Sequence, residues 1–209
     1  MATDIKGTFI TFEGAEGSGK STQARLLTRY LKEKKKKVLA IREPGGVRIS
    51  EKIRRILLSL ESRGMGDACE VLLYMAARAQ LVREVIHPAL KRGMIVLCDR
   101  FLDSTVAYQG YGNGVDLKMI KTIGRFATEG ITPDLTLIFD IDAAEGLRRA
   151  GREKDRIEQR SLDYHNRVRQ GYLRLARQEP GRTRVIKVDG DKDEVQIRVR
   201  GYVDTLLGL

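Results

Sequence analysis

The chain contains few residues of the kinds that bind transition metals or form disulfides, with two cysteines and two histidines among its 209 residues. Cys69 and Cys98 do not have the spacing of a metal site, and the apolar run around Cys98 predicts a reduced thiol in the core. His87 and His165 fall in segments with a helical pattern and are interpreted as ordinary helix residues. The sequence also has no Ser–His–Asp or Cys–His set, which disfavours nucleophilic triad chemistry.

Long hydrophobic runs are absent as well. No apolar stretch is long enough to cross a membrane, and no signal peptide is visible before the first predicted strand. There is no internal repeat, low-complexity segment or sign of a second domain. The sequence therefore predicts a single α/β domain over residues 1–209 in the cytoplasm.

Negative charge is in the minority, and the formal net charge is +11. Such a balance raises the question of nucleic acid, but the positive side chains are spread over many predicted helices. No basic patch with interleaved aromatic residues, of the kind that stacks single strands, is present. A nucleic-acid partner is therefore disfavoured, and the charge is interpreted as a field that attracts anionic nucleotides.

Residues 14–21 read GAEGSGKS and match G-x-x-x-x-G-K-[ST], the pattern of a phosphate-binding loop (P-loop). A predicted strand at 8–12 precedes it and a predicted helix at 23–31 follows, which is the context the motif requires. The alternative is a glycine-rich turn without a ligand. The predicted ATP-binding residues are Gly14, Ala15, Glu16, Gly17, Ser18, Gly19, Lys20, Ser21 and Thr22.

Strand and helix patterns alternate along the rest of the chain. Further strands are predicted at 38–41, 94–98, 135–140 and 184–188. Helices are predicted at 49–60, 68–91, 103–110, 116–129 and 192–207. Another helix starts near 143, and after the charged stretch 148–160 a further one ends at about 176. Short apolar strands between helices indicate a parallel sheet, here of five strands, with helices on both faces. Ligands of such a sheet bind at the carboxyl ends of its strands.

Three further motifs are present. Two of them follow the second and third predicted strands, and the third follows the start of the helix after the fourth strand. They are R-E-P-G-G at 42–46, D-R-F with S-T-V-A-Y-Q-G at 99–110, and the charged stretch R-R-A-G-R-E-K-D-R-I-E at 148–158. Together with the P-loop, in order and over nearly the whole chain, they resemble the thymidylate kinase family. The resemblance implies a P-loop nucleoside-monophosphate-kinase-like fold, ATP-dependent phosphorylation of dTMP to dTDP with Mg²⁺, and a homodimer.

The resemblance also implies roles for the phosphate-handling residues. Lys20 would bridge the β- and γ-phosphates, and Ser21 and Asp99 would hold Mg²⁺ directly or through water. Arg100 would clamp the phosphate of the acceptor, where a planar guanidinium suits two oxygens. The alternatives are a helix-capping role for Asp99 and a surface ion pair between Arg100 and Asp99 or Asp103.

For the acceptor pocket the resemblance implies nine residues: Glu16, Glu43, Arg54, Tyr74, Arg78, Arg100, Thr105, Tyr108 and Gln109. Glu16 would lie near the 3′-hydroxyl of the deoxyribose and Tyr108 against its 2′ position. Tyr74, at a position where the family usually has phenylalanine, would stack on thymine, while Arg78, Thr105 and Gln109 would meet the base. From the residues alone, the pattern favours Tyr74 as a core aromatic.

Members of the family carry a catalytic arginine either inside the P-loop or in a lid, here residues 148–160. The candidate P-loop position is Gly17, so the resemblance assigns the role to the lid. The first candidate is Arg152, followed by Arg149 and Arg156. The alternative is a solvated, arginine-rich loop.

Two other functions are compatible with the P-loop. The nearer one is a kinase of another pyrimidine monophosphate, which the residues implied for the base disfavour. The more distant one is a regulatory or nucleic-acid-dependent ATPase, for which the sequence offers no helicase-like second domain.

Overall fold

A sheet of five parallel strands lies at the centre of the fold, in a computed structural model that describes residues 6–151 and 155–209. In chain order the strands are β1 (Thr8–Gly14), β2 (Val38–Arg42), β3 (Ile95–Asp99), β4 (Leu135–Asp140) and β5 (Thr183–Lys187). Their order across the sheet is β2–β3–β1–β4–β5, and every pairing is parallel. The predicted five-stranded parallel sheet is confirmed.

Helices connect the strands and cover the sheet. They are α1 (Lys20–Glu33), α2 (Arg48–Leu58), α3 (Asp67–Leu81), α4 (His87–Lys91), α5 (Leu102–Thr105), α6 (Leu117–Ala127), α7 (Ala143–Arg149), α8 (Leu162–Gln178) and α9 (Lys192–Leu207). Shorter turns are a 3₁₀-helix at Leu60–Ser62 and π-helical segments at Val82–Ile86 and Val106–Gly112. None of the helices in the described ranges combines the length and apolarity needed to span a bilayer.

Alternate residues of the central strands face opposite sides of the sheet and enter separate cores. Ile10 and Phe12 pack with Leu27 and Leu31 of α1 and with residues of α9. Phe9 points to the other face of the sheet and packs with a different cluster, which includes residues of α3 and of the segment after it. Because both faces are covered, the central strands are mostly apolar, which is why their sequence shows near-continuous apolar runs instead of alternation.

The register of the sheet brings three strand ends together. Asp99 at the end of β3 lies beside Phe12 of β1 on one side and Arg42 of β2 on the other. The chain leaves β1 toward β2 and later returns to β4 on the opposite side of β1, so the strand order reverses there. Ligands of open parallel sheets bind at such a reversal, at the carboxyl ends of the strands.

Candidate active site

The P-loop joins β1 to α1. Gly19 precedes α1 in a left-handed conformation, with φ of 81°, which glycine adopts without steric cost. The buried Lys20 folds back over the loop, and its Nζ donates to the carbonyl oxygen of Ala15 at 2.7 Å and to Ser18 Oγ at 3.2 Å. Burial, with Arg100 nearby, lowers the pKa of Lys20 to about 8. A polyphosphate in the loop would favour the charged lysine.

A hydroxyl and a carboxylate lie side by side next to the P-loop. Ser21 Oγ donates a hydrogen bond to Asp99 Oδ2, and both residues line the same pocket. The described residues contain no group of three or more His, Cys, Asp or Glu side chains that could enclose a metal. Two protein oxygens beside a phosphate site match the way Mg²⁺ is held, with phosphate and water oxygens as the other ligands.

Arg100 is the most connected cation of the pocket. Its Nη2 donates to Glu16 Oε1 at 2.7 Å and to the hydroxyl of Tyr108 at 3.1 Å, and that hydroxyl donates to Glu16 at 2.9 Å. Burial alone would raise the pKa of Glu16. The positive charges of Arg100 and then Lys20 outweigh the effect of burial and lower this pKa to about 2. Burial likewise lowers the pKa of Arg100, yet Glu16 reverses this and holds it well above its usual value. Both groups are therefore charged at neutral pH.

The turn that carries Arg100 is fixed by Glu13, which was not among the predicted site residues. Arg100 has a φ of 72°, a left-handed conformation that non-glycine residues seldom adopt. The fully buried Glu13 accepts hydrogen bonds from the backbone N–H of Phe101 at 2.7 Å, from Ser104 Oγ at 2.6 Å and from the hydroxyl of Tyr172 at 3.0 Å. Burial, with nearby Asp103, raises the pKa of Glu13 to about 7.

A buried ion pair forms the other end of the pocket. Arg78 Nε contacts Glu43 Oε2 at 2.8 Å, with 2% and 3% of the two side chains exposed. Arg78 also donates to the carbonyl oxygen of Phe101 at 2.9 Å and to Thr105 Oγ1 at 3.1 Å. Burial raises the pKa of Glu43, and Arg78 opposes that shift. Tyr74, one helical turn before Arg78, is half-buried and lines the pocket instead of entering the core.

Replacement of Arg78 by methionine should reduce the free energy of unfolding by about 3–5 kcal/mol, because it leaves the Glu43 carboxylate buried without its partner. The loss should shrink as the pH falls, because protonation of Glu43, whose pKa is already raised, removes the uncompensated charge. Urea unfolding at several pH values measures both effects.

The matched variant is the double replacement Arg78→Met with Glu43→Gln, which removes both charges. It should be more stable than Arg78→Met alone at neutral pH, and its stability should depend less on pH. Equal stabilities of the single and double variants would show that the ion pair is not the source of the loss.

Helix α7 approaches the P-loop so closely that two glycines face each other. A Cβ placed on Gly17 would overlap the carbonyl oxygen of Gly146 and lie 3.0 Å from Arg149 Cβ, and a Cβ on Gly146 would overlap the carbonyl oxygen of Glu16. Arg149, at the end of α7, lines the pocket and donates to Glu145 Oε1 at 2.7 Å. Its side chain is 43% exposed, so it is free to turn toward a nucleotide.

The other two predicted lid arginines are placed differently. Arg152 lies outside the described residues. Arg156 is buried with 4% of its side chain exposed, contacts Glu70 Oε2 at 2.6 Å and donates to the carbonyl oxygen of Leu57 at 2.9 Å. It does not line the pocket. A contact of Arg156 with the transferring phosphoryl group stays a prediction, and it would require the side chain to leave the buried carboxylate of Glu70.

Three polar residues of the site were missed at the sequence level: Glu13, Glu70 and Tyr172. Glu70 had a usable signal, because it precedes Tyr74 by four residues and so shares a face of α3 with a predicted pocket residue. Glu13 immediately precedes the P-loop inside a buried strand, where a carboxylate needs a specific partner. Tyr172 had no local signal, since it reaches the site from α8.

The pocket between these groups has a volume of about 520 Å³, within the usual range for small-molecule sites. All nine predicted acceptor residues line it, together with P-loop residues 16–22, Asp99 and Arg149. The pocket has the P-loop with Lys20 at one end, Arg100 in the middle and Arg78 at the other end. This arrangement suits two nucleotides whose phosphate groups meet between Lys20 and Arg100. Such a fold and site define a phosphotransferase of the nucleoside-monophosphate kinase class.

The sequence model of the thymidylate kinase family matches residues 12–199. The thymidylate kinase of Kosmotoga olearia is 48% identical over 203 residues, which are 96% of each chain, and that of Pelotomaculum thermopropionicum is 50% identical over 97% of this chain and 95% of its own. The crystal structure of thymidylate kinase from Ehrlichia chaffeensis superposes with a TM-score of 0.79 at 34% identity and covers 94% of this chain and 98% of that one. The chain belongs to the thymidylate kinase family, and it is an ATP-using enzyme, as the motifs predicted.

Proposed function

We propose that the chain transfers the γ-phosphoryl group of ATP to dTMP and releases dTDP and ADP, with the P-loop holding ATP and the slot from Arg100 to Arg78 holding dTMP. The observation that carries this division is the Glu16–Arg100–Tyr108 cluster. It stands between the two halves of one pocket, where the phosphate and the sugar of an acceptor nucleotide would meet the loop.

The acceptor oxygen of a nucleoside monophosphate is already ionised at neutral pH, so the transfer needs positioning and charge stabilisation and no strong base. Arg100 supplies a permanent cation at the acceptor phosphate, because its pKa is raised and its side chain is fixed by several hydrogen bonds. Lys20 supplies the cation at the donor phosphates. Rigid placement of both cations lowers the energy of a transition state with spread negative charge.

Ser21 and Asp99 would hold Mg²⁺, whose part in the reaction is to neutralise charge on the donor phosphates. Their support is the donor set itself, a hydroxyl and a carboxylate in contact beside the P-loop. Arg149 would turn from Glu145 to the transferring phosphoryl group as α7 closes over the pocket, and so exclude water.

Selectivity for a deoxynucleotide would come from Tyr108. Its ring is buried, and its hydroxyl is held by both Arg100 and Glu16, so it cannot move aside for a ribose 2′-hydroxyl. At the base end, Tyr74 would stack on the ring, and Arg78, Thr105 and Gln109 would form its polar contacts. The thymine methyl adds only about 1–3 kcal/mol of discrimination against uracil.

A panel of monophosphates with ATP tests the assignment. We expect dTMP to have the highest kcat/KM, dUMP to be lower by about 10–200-fold because it lacks the methyl group, and UMP lower still because of its 2′-hydroxyl. Coupled ADP release and direct detection of dTDP give the rates. Faster turnover of UMP or CMP than of dTMP would contradict the proposal.

A second arm of the same experiment addresses the ATPase alternative. Without an acceptor, ATP hydrolysis should be slow and unaffected by added DNA or RNA. Stimulation by nucleic acid in the absence of a monophosphate would favour a nucleic-acid-dependent ATPase over a nucleotide kinase.

We also propose that the chain forms a homodimer through α2, α3 and α6. These helices pack together and present large apolar side chains to solvent: Ile49, Ile56, Leu72, Met119 and Phe126, the last 86% exposed. Clustered exposed apolar residues mark interaction surfaces.

The cytoplasmic location and the extent of the single domain, residues 1–209 with its lid at 148–160, stay predictions.

A further inference from the structure

A buried carboxylate lies directly behind the base end of the pocket. Glu70 is fully buried on α3 and does not itself line the pocket. Its Oε2 contacts Arg156 at 2.6 Å and Arg160 at 3.1 Å. Its Oε1 accepts from Gln109 Nε2 at 2.8 Å and from Asn113 Nδ2 at 3.3 Å. The carboxylate of Glu70 thus connects Arg156 and Arg160 to the side-chain amide of Gln109, which lines the pocket.

The two arginines fix the orientation of Glu70. Guanidinium groups can only donate, and the oxygens of a carboxylate accept hydrogen bonds. Gln109 must then point its NH₂ group at Glu70. The amide oxygen of Gln109, a residue that lines the pocket, is left for a ligand.

We propose that Glu70 is a positioning residue that sets the direction of the Gln109 amide and thereby selects a pyrimidine whose N3 carries a proton. The inference rests on the proposed function, in which the base of dTMP lies against Gln109. An amide oxygen accepts from the N3–H of thymine, whereas the N3 of cytosine is itself an acceptor and is repelled. Recognition of the base is thereby tied to residues 156 and 160, which hold Glu70 from behind.

The variant Glu70→Gln tests the proposal because it keeps the shape of the side chain and reverses one hydrogen bond. The two arginines can only donate, so they take the new amide oxygen, and its NH₂ group turns toward Gln109. Gln109 must rotate to accept, which places its own NH₂ group in the pocket. A donor there opposes the N3–H of thymine and suits the N3 of cytosine.

We expect Glu70→Gln to lower kcat/KM for dTMP by about 10–100-fold, mainly through KM, while kcat/KM for dCMP holds or rises. The KM for ATP should not change. The matched control is Asp67→Asn on the same helix, which removes the exposed carboxylate that Asn113 contacts at 2.9 Å and leaves Gln109 untouched. It should keep the wild-type ratio of dTMP to dCMP.

The double variant Glu70→Gln with Gln109→Glu provides a second measurement. The new carboxylate at 109 accepts from the amide at 70 and still presents an acceptor to the pocket, and the cluster keeps one negative charge. It should recover the preference for dTMP over dCMP. A purely structural role of Glu70 predicts equal losses for both substrates in Glu70→Gln and no recovery in the double variant.

The outcomes separate this inference from the proposed function. A wild-type enzyme that does not phosphorylate dTMP would remove the proposed function. A wild-type enzyme that does so, with a Glu70→Gln variant that keeps its ratio of dTMP to dCMP, would overturn the role of Glu70 alone. If Glu70→Gln does not fold, the double variant decides: loss of its preference for dTMP overturns the proposal.

Discussion

Replacement of Arg100 by alanine should lower kcat/KM for dTMP by about 10²–10³-fold, the usual effect of removing one preorganised charge from a phosphoryl-transfer site. Binding of ATP should be nearly unchanged, because Arg100 contacts Glu16 and Tyr108 on the acceptor side and Lys20 keeps its own contacts with the P-loop. Steady-state kinetics with dTMP varied, together with calorimetric titration of ATP, measure the two effects separately.

Arg100→Lys is the informative control. It keeps a cation but loses the planar group that bonds Glu16 and Tyr108 at once, so part of the activity should return. Recovery of full activity would mean that charge alone matters, and a wild-type rate in Arg100→Ala would remove Arg100 from the mechanism. Thermal unfolding of each variant guards against loss of the strained turn at residue 100.

Replacement of Arg149 by alanine should lower kcat by about 10³-fold, the lower end of the effect of a catalytic arginine in phosphoryl transfer, with small changes in both KM values. The reason is its position: Arg149 lines the pocket, its Cβ lies beside Gly17, and its side chain is held by the half-buried Glu145. Single-turnover measurement of dTDP formation isolates the chemical step.

Arg148 is the matched control for Arg149. It lies on the same helix and binds the same Glu145, at 2.7 Å, but it is 74% exposed and does not line the pocket. Arg148→Ala should therefore retain wild-type kcat. Arg152→Ala belongs in the same series, and a loss of kcat there with none in Arg149→Ala would transfer the role to residue 152.

Arg156→Ala should behave differently from both. Its side chain is buried against Glu70, so its removal should destabilise the fold and raise the KM for dTMP more than it lowers kcat. A selective loss of kcat in Arg156→Ala would show that the buried contact opens during the reaction.

Local signals were sufficient for the parts of the site that follow strand ends. The strand, loop and helix around Gly19 are contiguous, so their order in the sequence is their order in space. Asp99 ends a buried strand and Arg100 follows it, and a parallel sheet puts all such strand ends at one edge. The partner of Arg100 was not predicted, however: it is Glu16, whereas Asp103 pairs with Arg182 at 2.7 Å.

Contacts between distant segments could not be predicted from the residues alone. Glu70 and Arg156 lie on elements far apart in the chain, and nothing in either local pattern indicates the other. The strand order of the sheet has the same character, since the pattern of strands and helices does not say on which side of β1 each strand lies. The arginines of the charged stretch 148–158 therefore look alike in the sequence, although Arg149 is exposed and Arg156 is buried.

The facing glycines of the P-loop and α7 bear on how the two versions of this family can interconvert. With α7 in place, residue 17 has no room for any side chain, because the carbonyl oxygen of Gly146 occupies that space. An arginine introduced at 17 would have to displace the helix that carries Arg149. A single substitution of Gly17 by arginine would thus add a cation at the P-loop while displacing Arg149 on α7. An evolutionary path between an arginine in the P-loop and an arginine in the lid must therefore include a shift of the backbone as well as an exchange of the charged residues.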